Sequence, residues 1–284
     1  MEKPLAERIS LVHEPLEALA RLLGRKRRRR KVGLALSGGG GRGIAHIGVF
    51  SVLLEAGVIP DCVAGTSAGA AAGVLFCRGW SPEQMLRLVR GLNLLHLGRP
   101  RLRRLGLLDG TRFEELIREL VGDLTFADLS IPLAVVACDL LTGERVVIRQ
   151  GALAPAVRAS CSIPGIFTPV EQEGRLLVDG GLVDHLPVSV AREMGADYVI
   201  AVDVHPPLPP GRRPRNLFEV VIASYQIMTR NNTAPGSEPE CLIRPDTARF
   251  DWLRFGSQAE ALFQAGRQAA QEALPRLLAD LEKR

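Results

Sequence analysis

The sequence predicts an α/β protein built on a mainly parallel sheet with helices on both faces. Three observations predict it. Apolar runs of strand length alternate with helix-length segments along most of the 284 residues. Two strands in succession run straight into a glycine-rich turn that opens a helix, within residues 32–56 and again within 61–78. Hydrophobic residues make up 46% of the chain, enough for a substantial core.

Residues 5–23 read as an amphipathic helix with Leu5, Ile9, Leu16, Leu19 and Leu23 on one side and Pro15 as a break. The unbroken basic run RKRRRRK, residues 25–31, follows it. Residues 1–30 are therefore expected to be a polybasic leader, and 31–284 the folded domain. The domain opens with a strand at 32–36 and a helix at 43–56 closed by Gly57. A strand at 61–64 leads to a small-residue helix at 68–78, and helices follow at 82–90 and 111–121. Strands are expected at 132–138, 145–148 and 176–178. Between the last two, AVRASCSIPGIF begins as a helix and breaks at Pro164. Helix 187–194, strand 198–203, the proline-rich surface loop HPPLPPGRRPR, helix 217–230, a strand near 241–244 and helix 257–282 complete the chain.

The bulk properties narrow the class. No run of eighteen apolar residues occurs, so no spanning helix is expected. The N-terminus carries Glu2, Glu7 and Glu14, with its basic cluster after the apolar stretch, which is not the order of a signal peptide. Cys62, Cys77, Cys138, Cys161 and Cys241 form no C-x-x-C pair. They read as reduced thiols in a cytoplasmic protein, with no zinc site.

GTSAG, residues 65–69, is a G-x-S-x-G turn between a strand and a helix, the context of a nucleophile elbow. Gly65 and Gly69 leave room for the sharp bend around Thr66, Ser67 and Ala68, and Ser67 is pushed out at the carboxyl edge of the sheet. A tight glycine turn can also serve chain reversal alone; the strand before and the helix after favour a nucleophile. The earlier run SGGGGRG contains Gly38, Gly40 and Gly43 in G-x-G-x-x-G spacing. A phosphate-binding P-loop needs Gly-Lys-Ser/Thr, whereas the run continues Gly41-Arg42-Gly43-Ile44. A dinucleotide site needs an acid at the far end of the second strand, but Asp61 stands at its start and Ser67 past its end. A glycine loop with free N–H groups beside a nucleophilic serine suits an oxyanion. Arg42 is read as an anchor of that loop or as a charge behind it. His46, one turn on, is read as packing or hydrogen-bonding beneath it.

The serine needs a base. LLVDGG, residues 176–181, sets Asp179 after an apolar strand and before Gly180 and Gly181. An Asp in water has a pKa of about 3.9, so a base role requires burial to raise it. The same Asp-Gly pair can simply cap a turn. Asp139 and Asp203 also sit at strand ends, and His185 or His205 could complete a Ser…Asp…His order. Spacing alone leaves dyad and triad both open.

SGGGGRG, GTSAG and DGG in this order resemble the patatin-like phospholipases, in particular the bacterial branch that is also similar to the catalytic domain of neuropathy target esterase. GLLDG (106–110), ACDLLTGE (137–144), ASCSIPGIFTPV (159–170) and DGGLVDHLPV (179–188) extend the resemblance over roughly residues 31–275. Ser37 stands where many relatives have Asp or Gly. The resemblance implies a three-layer α/β/α sandwich and a Ser–Asp dyad without histidine. Ser67 would be the nucleophile and Asp179 the base, with an oxyanion hole from N–H groups within Gly38, Gly39, Gly40, Gly41, Arg42 and Gly43. It implies no metal and no cofactor, and a phospholipid or lysophospholipid ester as substrate. A lipid-surface or regulatory protein that keeps the fold with little catalysis is the alternative.

Two segments are candidate membrane contacts. LNLLHLGRPRLRRLGLL, residues 92–108, mixes leucines with Arg99, Arg101, Arg103 and Arg104 and reads either as a lid or as an arginine face over a leucine core. The leader with its basic run suits an anionic membrane surface, placing the protein peripherally at the inner face of the cytoplasmic membrane. Polybasic runs also bind nucleic acid. No aromatic interleaving accompanies this one, so no specific nucleic acid is expected.

Overall fold

A computed structural model describes residues 30–92, 97–103, 105–205, 213–232, 238–251, 254 and 256–283. The leader helix expected over 5–23 lies outside the described residues, as do all but Arg30 and Lys31 of the basic run and most of the proline-rich loop.

Strand β1 (Val32–Leu36) is buried at every residue. A single 3-10 turn, Gly40–Gly43, leads into α1 (Ile44–Glu55). Ile44 to Leu53 are all buried, His46 and Ser51 among them, as a helix enclosed on every side by the core requires. Strand β2 (Cys62–Thr66) runs two residues further than the sequence suggests, into the GTSAG turn itself. Helix α2 (Ala68–Cys77) follows at once. Helix α3 (Pro82–Arg90) begins at a capping box in which the Ser81 and Gln84 side chains each take the other's backbone N–H.

An antiparallel hairpin, β3 (Arg99–Arg103) with β4 (Gly106–Asp109), occupies the segment read as a lid or arginine face. Then come α4 (Thr111–Val121), β5 (Leu133–Asp139), β6 (Arg145–Ile148) and α5 (Leu153–Ser160). Strands β7 (Val170–Gln172) and β8 (Arg175–Asp179) are followed by α6 (Val188–Glu193) and β9 (Tyr198–Val202). Helix α7 (Leu217–Asn231), β10 (Cys241–Ile243) and α8 (Ala259–Glu282) end the chain.

The sheet runs β10-β9-β1-β2-β5-β8-β7, with β6 on β5. The strands from β10 to β5 are mutually parallel. Strands β6 and β8 lie antiparallel to β5, and β7 antiparallel to β8. This is the mainly parallel sheet expected, with an antiparallel end that the sequence did not suggest. The two faces differ. Leu34, Leu36, Val63, Val135 and Ile200 join the large core with α1, α2, α3, α5 and α8, whereas Ala35, Ala64, Ala134, Val136 and Ala201 pack small side chains against α6. Helices therefore cover both faces, thickly on one and thinly on the other. Among the described residues no helix is long and apolar enough to cross a membrane.

Candidate active site

Strand register brings Ser67 and Asp179 together. β2 pairs with β5 from Val63↔Leu133 to Thr66↔Val136 and stops. β8 takes over from the next residue, Ala137↔Asp179, and runs the other way to Asp139↔Leu177. β6 overlaps both stretches from Val135 to Cys138, so it must hold the opposite edge of β5. β2 and β8 thus share one edge and meet end to end. Ser67 follows the last residue of β2, and Asp179 is the last residue of β8. The antiparallel strand delivers the carboxylate to the level of the serine.

The elbow is strained. Ser67 has φ 52° and ψ −119°, one of two non-glycine residues with positive φ among those described. Such a conformation persists only where its surroundings over-determine it. The Ser67 N–H donates to Ser160 Oγ (2.8 Å), and that hydroxyl donates to the Val136 carbonyl (2.6 Å). The Thr66 hydroxyl donates to the Asp184 carbonyl (2.8 Å). A Cβ on Gly69 would stand 2.3 Å from the Leu36 carbonyl oxygen, so the start of α2 can lie against β1 only with glycine there.

Asp179 is fully buried. Its Oδ1 accepts the Gly181 N–H (2.8 Å), while Oδ2 makes no hydrogen bond of good geometry. Burial pushes the carboxyl from 3.8 up to about 6, against the Ser67 hydroxyl, the Gly181 N–H and the Tyr225 phenol, which favour the charged form. The Tyr225 phenol is pushed well above its ordinary value by burial and by the adjacent Asp179 charge.

The glycine loop is built by its neighbours. Ser37 Oγ accepts the Val204 N–H (2.9 Å) and donates to the Gly38 carbonyl (3.0 Å). The Gly38 N–H is spent on the His185 carbonyl (3.2 Å) and the Arg42 N–H on Gly39 (3.2 Å), which corrects the expectation that either faces an oxyanion. For the N–H groups of Gly39, Gly40 and Gly41 no partner occurs among the described residues. Gly40 has φ +56°, and a Cβ on Gly39 would meet Val204 Cγ2 at 2.6 Å. Arg42 does anchor the loop, its Nε donating to the Phe250 carbonyl (3.0 Å). His46 lies beneath it, fully buried, with Nε2 3.0 Å from the Ser37 carbonyl. Burial lowers its pKa to about 4, so the neutral ring donates this bond.

The other candidate carboxylates hold neighbouring backbone N–H groups. Asp139 Oδ1 accepts the Leu141 N–H (3.0 Å) and closes a turn. Asp203 takes the His205 N–H (3.0 Å) and lies 3.4 Å from Arg244 Nε and 3.9 Å from His185 Nε2. The rings of His185 and His205 meet edge to face, 4.5 Å apart. Asp61 accepts the Val32 N–H (2.8 Å) before β2 begins, at the amino edge as the sequence suggested.

Two cavities share Ser67. One, of about 150 Å³, is apolar and runs between α1, α2, α3 and α4, past Ala71, Leu75, Met85 and Phe113. The other is smaller, lined by the Gly38–Gly40 loop, Arg42, Ile163, His185, His205 and Tyr225, Gln226 and Thr229 of α7. Among the described residues no cluster of three or more His, Cys, Asp or Glu could hold a metal ion. Sequence reading missed Ser160 and Tyr225. Ser160 lies inside the quoted ASCSIPGIFTPV motif, whereas Tyr225 sits in a helix with no motif at all.

Residues 34–192 match the family model for patatin-like phospholipase. An uncharacterized NTE family protein of Mycobacterium tuberculosis (strain ATCC 25618 / H37Rv) is 33% identical over 279 residues, covering 89% of this chain and 48% of that protein. Neuropathy target esterase sws of Drosophila melanogaster is 35% identical over 207 residues, 68% of this chain and 14% of that protein. The chain spans about half the length of the mycobacterial relatives it matches. The crystal structure of VipD from Legionella pneumophila shares the fold, with a TM-score of 0.62 at 16% identity, over 86% of this chain and 67% of that one. The glycine loop, the GTSAG turn and the DGG turn all fall within the matched span, and the chain belongs to the patatin-like phospholipase family.

Proposed function

We propose that the chain is a serine acyl hydrolase cleaving carboxylic ester bonds of phospholipids or lysophospholipids, with Ser67 as nucleophile and Asp179 as base. One observation carries this reading. The strained Ser67 elbow stands where β2 and β8 meet, with a buried carboxylate beside it and an apolar cavity opening onto it. Ionised Asp179 takes the Ser67 proton as Oγ attacks the ester carbonyl. The N–H groups of Gly39, Gly40 and Gly41 receive the oxyanion, a charge present only in the transition state and intermediate. The tetrahedral intermediate collapses, and the alcohol leaves with the proton from Asp179. Water then gives a proton to Asp179 and attacks the acyl-serine. Collapse returns the proton to Ser67 and frees the acid. The apolar cavity takes the acyl chain, and the smaller pocket takes the departing alcohol. The leader's basic run is the contact with an anionic membrane surface in this reading.

A fluorophosphonate probe tests the assignment. It should label the protein and fail on Ser67→Ala, and acids released from a mixed lipid extract should disappear with the same substitution. A protein that takes no label while keeping its fold is the weakly catalytic alternative. His185→Ala and His205→Ala should retain most activity on a nitrophenyl ester; a histidine variant as inactive as Ser67→Ala would replace the dyad by a triad.

A further inference from the structure

Helix α7 is amphipathic in the inverse sense for its position. Ile222 and Thr229 are buried, and Tyr225 turns with them towards Asp179. Leu217, Val220, Val221, Ile227 and Met228 are exposed, Leu217 by 79%. At 100° per residue these five, with exposed Ser224, fall in one arc of roughly 120°. No charged residue lies in that arc. The acid of the helix, Glu219, is off it, with its carboxylate on the Arg215 N–H (2.8 Å).

We propose that α7 is an interfacial helix, whose outer face seats the molecule on an anionic lipid surface with the Ser67–Asp179 pair directly beneath. Two features choose this occupant. The first is continuity with the cavity. Val221 Cγ1 stands 4.0 Å from the Cβ position of Gly165, in the 163–167 loop that lines the apolar cavity. That loop is bonded to β4 through Leu108 N–H to Ile166 O (2.8 Å) and Thr168 N–H to Leu108 O (3.1 Å). The hairpin there exposes Leu105 and Leu107. Apolar surface is therefore continuous from the helix to the wall of the cavity, the path an acyl chain needs to leave a bilayer without crossing water. The second is charge. Arg213 and Arg215 are exposed just before the helix, and Arg244 is exposed at the same carboxyl edge of the sheet. A convex apolar stripe bordered by arginines suits a fluid acyl layer under anionic headgroups. A folded protein would have to bring a matching groove.

The proposal rests on the acyl-hydrolase reading for its substrate, but its test does not depend on turnover. In a Ser67→Ala background, Val220→Gln, Ile227→Gln and Met228→Gln together should lower partition onto phosphatidylcholine–phosphatidylglycerol vesicles by about tenfold or more. The leader is present in both proteins, so its contribution cancels. With Ser67 intact, the triple variant should hydrolyse a water-soluble nitrophenyl ester at an unchanged rate, which also shows that it folds. The fluorescence that Val221→Trp adds to the parent's should shift to the blue on adding vesicles and be quenched by brominated lipid. Unchanged partition of the triple variant, absence of vesicle binding by the parent, or added fluorescence that escapes quenching would overturn the proposal. So would a parent dimer that the triple substitution splits while vesicle binding persists, since the stripe would then be a self-interface. Vesicle binding that depends on the stripe, in a protein inert to esters and to fluorophosphonate, supports docking and rejects the hydrolase reading.

Discussion

The proposed role of Asp179 as a base near neutrality rests on its burial. Its pKa, pushed up to about 6, should put the acid limb of kcat/KM near pH 6, where an exposed aspartate would place it near 4. Tyr225 works against the shift by favouring the charged carboxylate. Tyr225→Phe should therefore move the acid limb to higher pH while the rate well above it changes less; a limb that stays put would remove Tyr225 from the site. The same burial sets a sign for stability. The folded pKa lies above the unfolded one, so the fold disfavours the ionised form. The cost is absent below pH 4, develops between pH 4 and 6, and reaches roughly 3 kcal/mol above it. Asp179→Asn should raise the melting temperature at pH 7.5 and leave it nearly unchanged at pH 4. An equal gain at both values would place the carboxylate's cost elsewhere.

The glycine loop and the two strand ends are assembled by elements far apart in sequence. Gly40 sits at φ +56°, where an L side chain costs about 1–2 kcal/mol. Gly40→Ala should turn one N–H away from the oxyanion and lower kcat by about a hundredfold or more. KM should change little, because the charge appears only after attack. Kinetics on a soluble ester decide it, and a large rise in KM with kcat intact would make the loop a substrate-binding element. The loop was legible in the sequence because local rules specify it: a strand, glycines, then an apolar helix. The GTSAG turn was legible for the same reason, and so was Asp61 at the wrong edge for a ribose. The direction of β8 was not, since LLVD reads alike in parallel and antiparallel strands. β7 and the β3–β4 hairpin are short pieces whose partners lie in tertiary structure. Ser160 and Tyr225 act through contacts that no spacing encodes, whereas Gly38 and Arg42, plausible donors by position, are consumed in holding the loop.

At the scale of the whole molecule, the asymmetry of the sandwich creates the apolar cavity beside Ser67 that is proposed to take the acyl chain. Small side chains on one face of the sheet let α6 lie close and leave little room there. The other face carries large side chains and most of the helices, and α2 lies among them with Ala68, Ala71 and Ala72. Those alanines fill less space than their partners on α3 and α4, Met85, Leu88, Phe113 and Leu116, and the shortfall is the cavity of about 150 Å³. A well-packed core would have closed such a gap, so its retention beside Ser67 is a cost in stability that an acyl chain can offset. Filling it should separate substrates by length. Ala71→Phe places a ring in the cavity one turn along α2 from the serine, without touching the Asp179 side of the elbow. Long-chain esters should lose about tenfold or more in kcat/KM, a few buried methylenes' worth of binding. Acetyl and butyryl esters should be cleaved at nearly the parent rate, and the melting temperature should hold or rise. Equal losses for every chain length would mean that the ring distorts the elbow, and no loss for long chains would send the acyl group to another cavity.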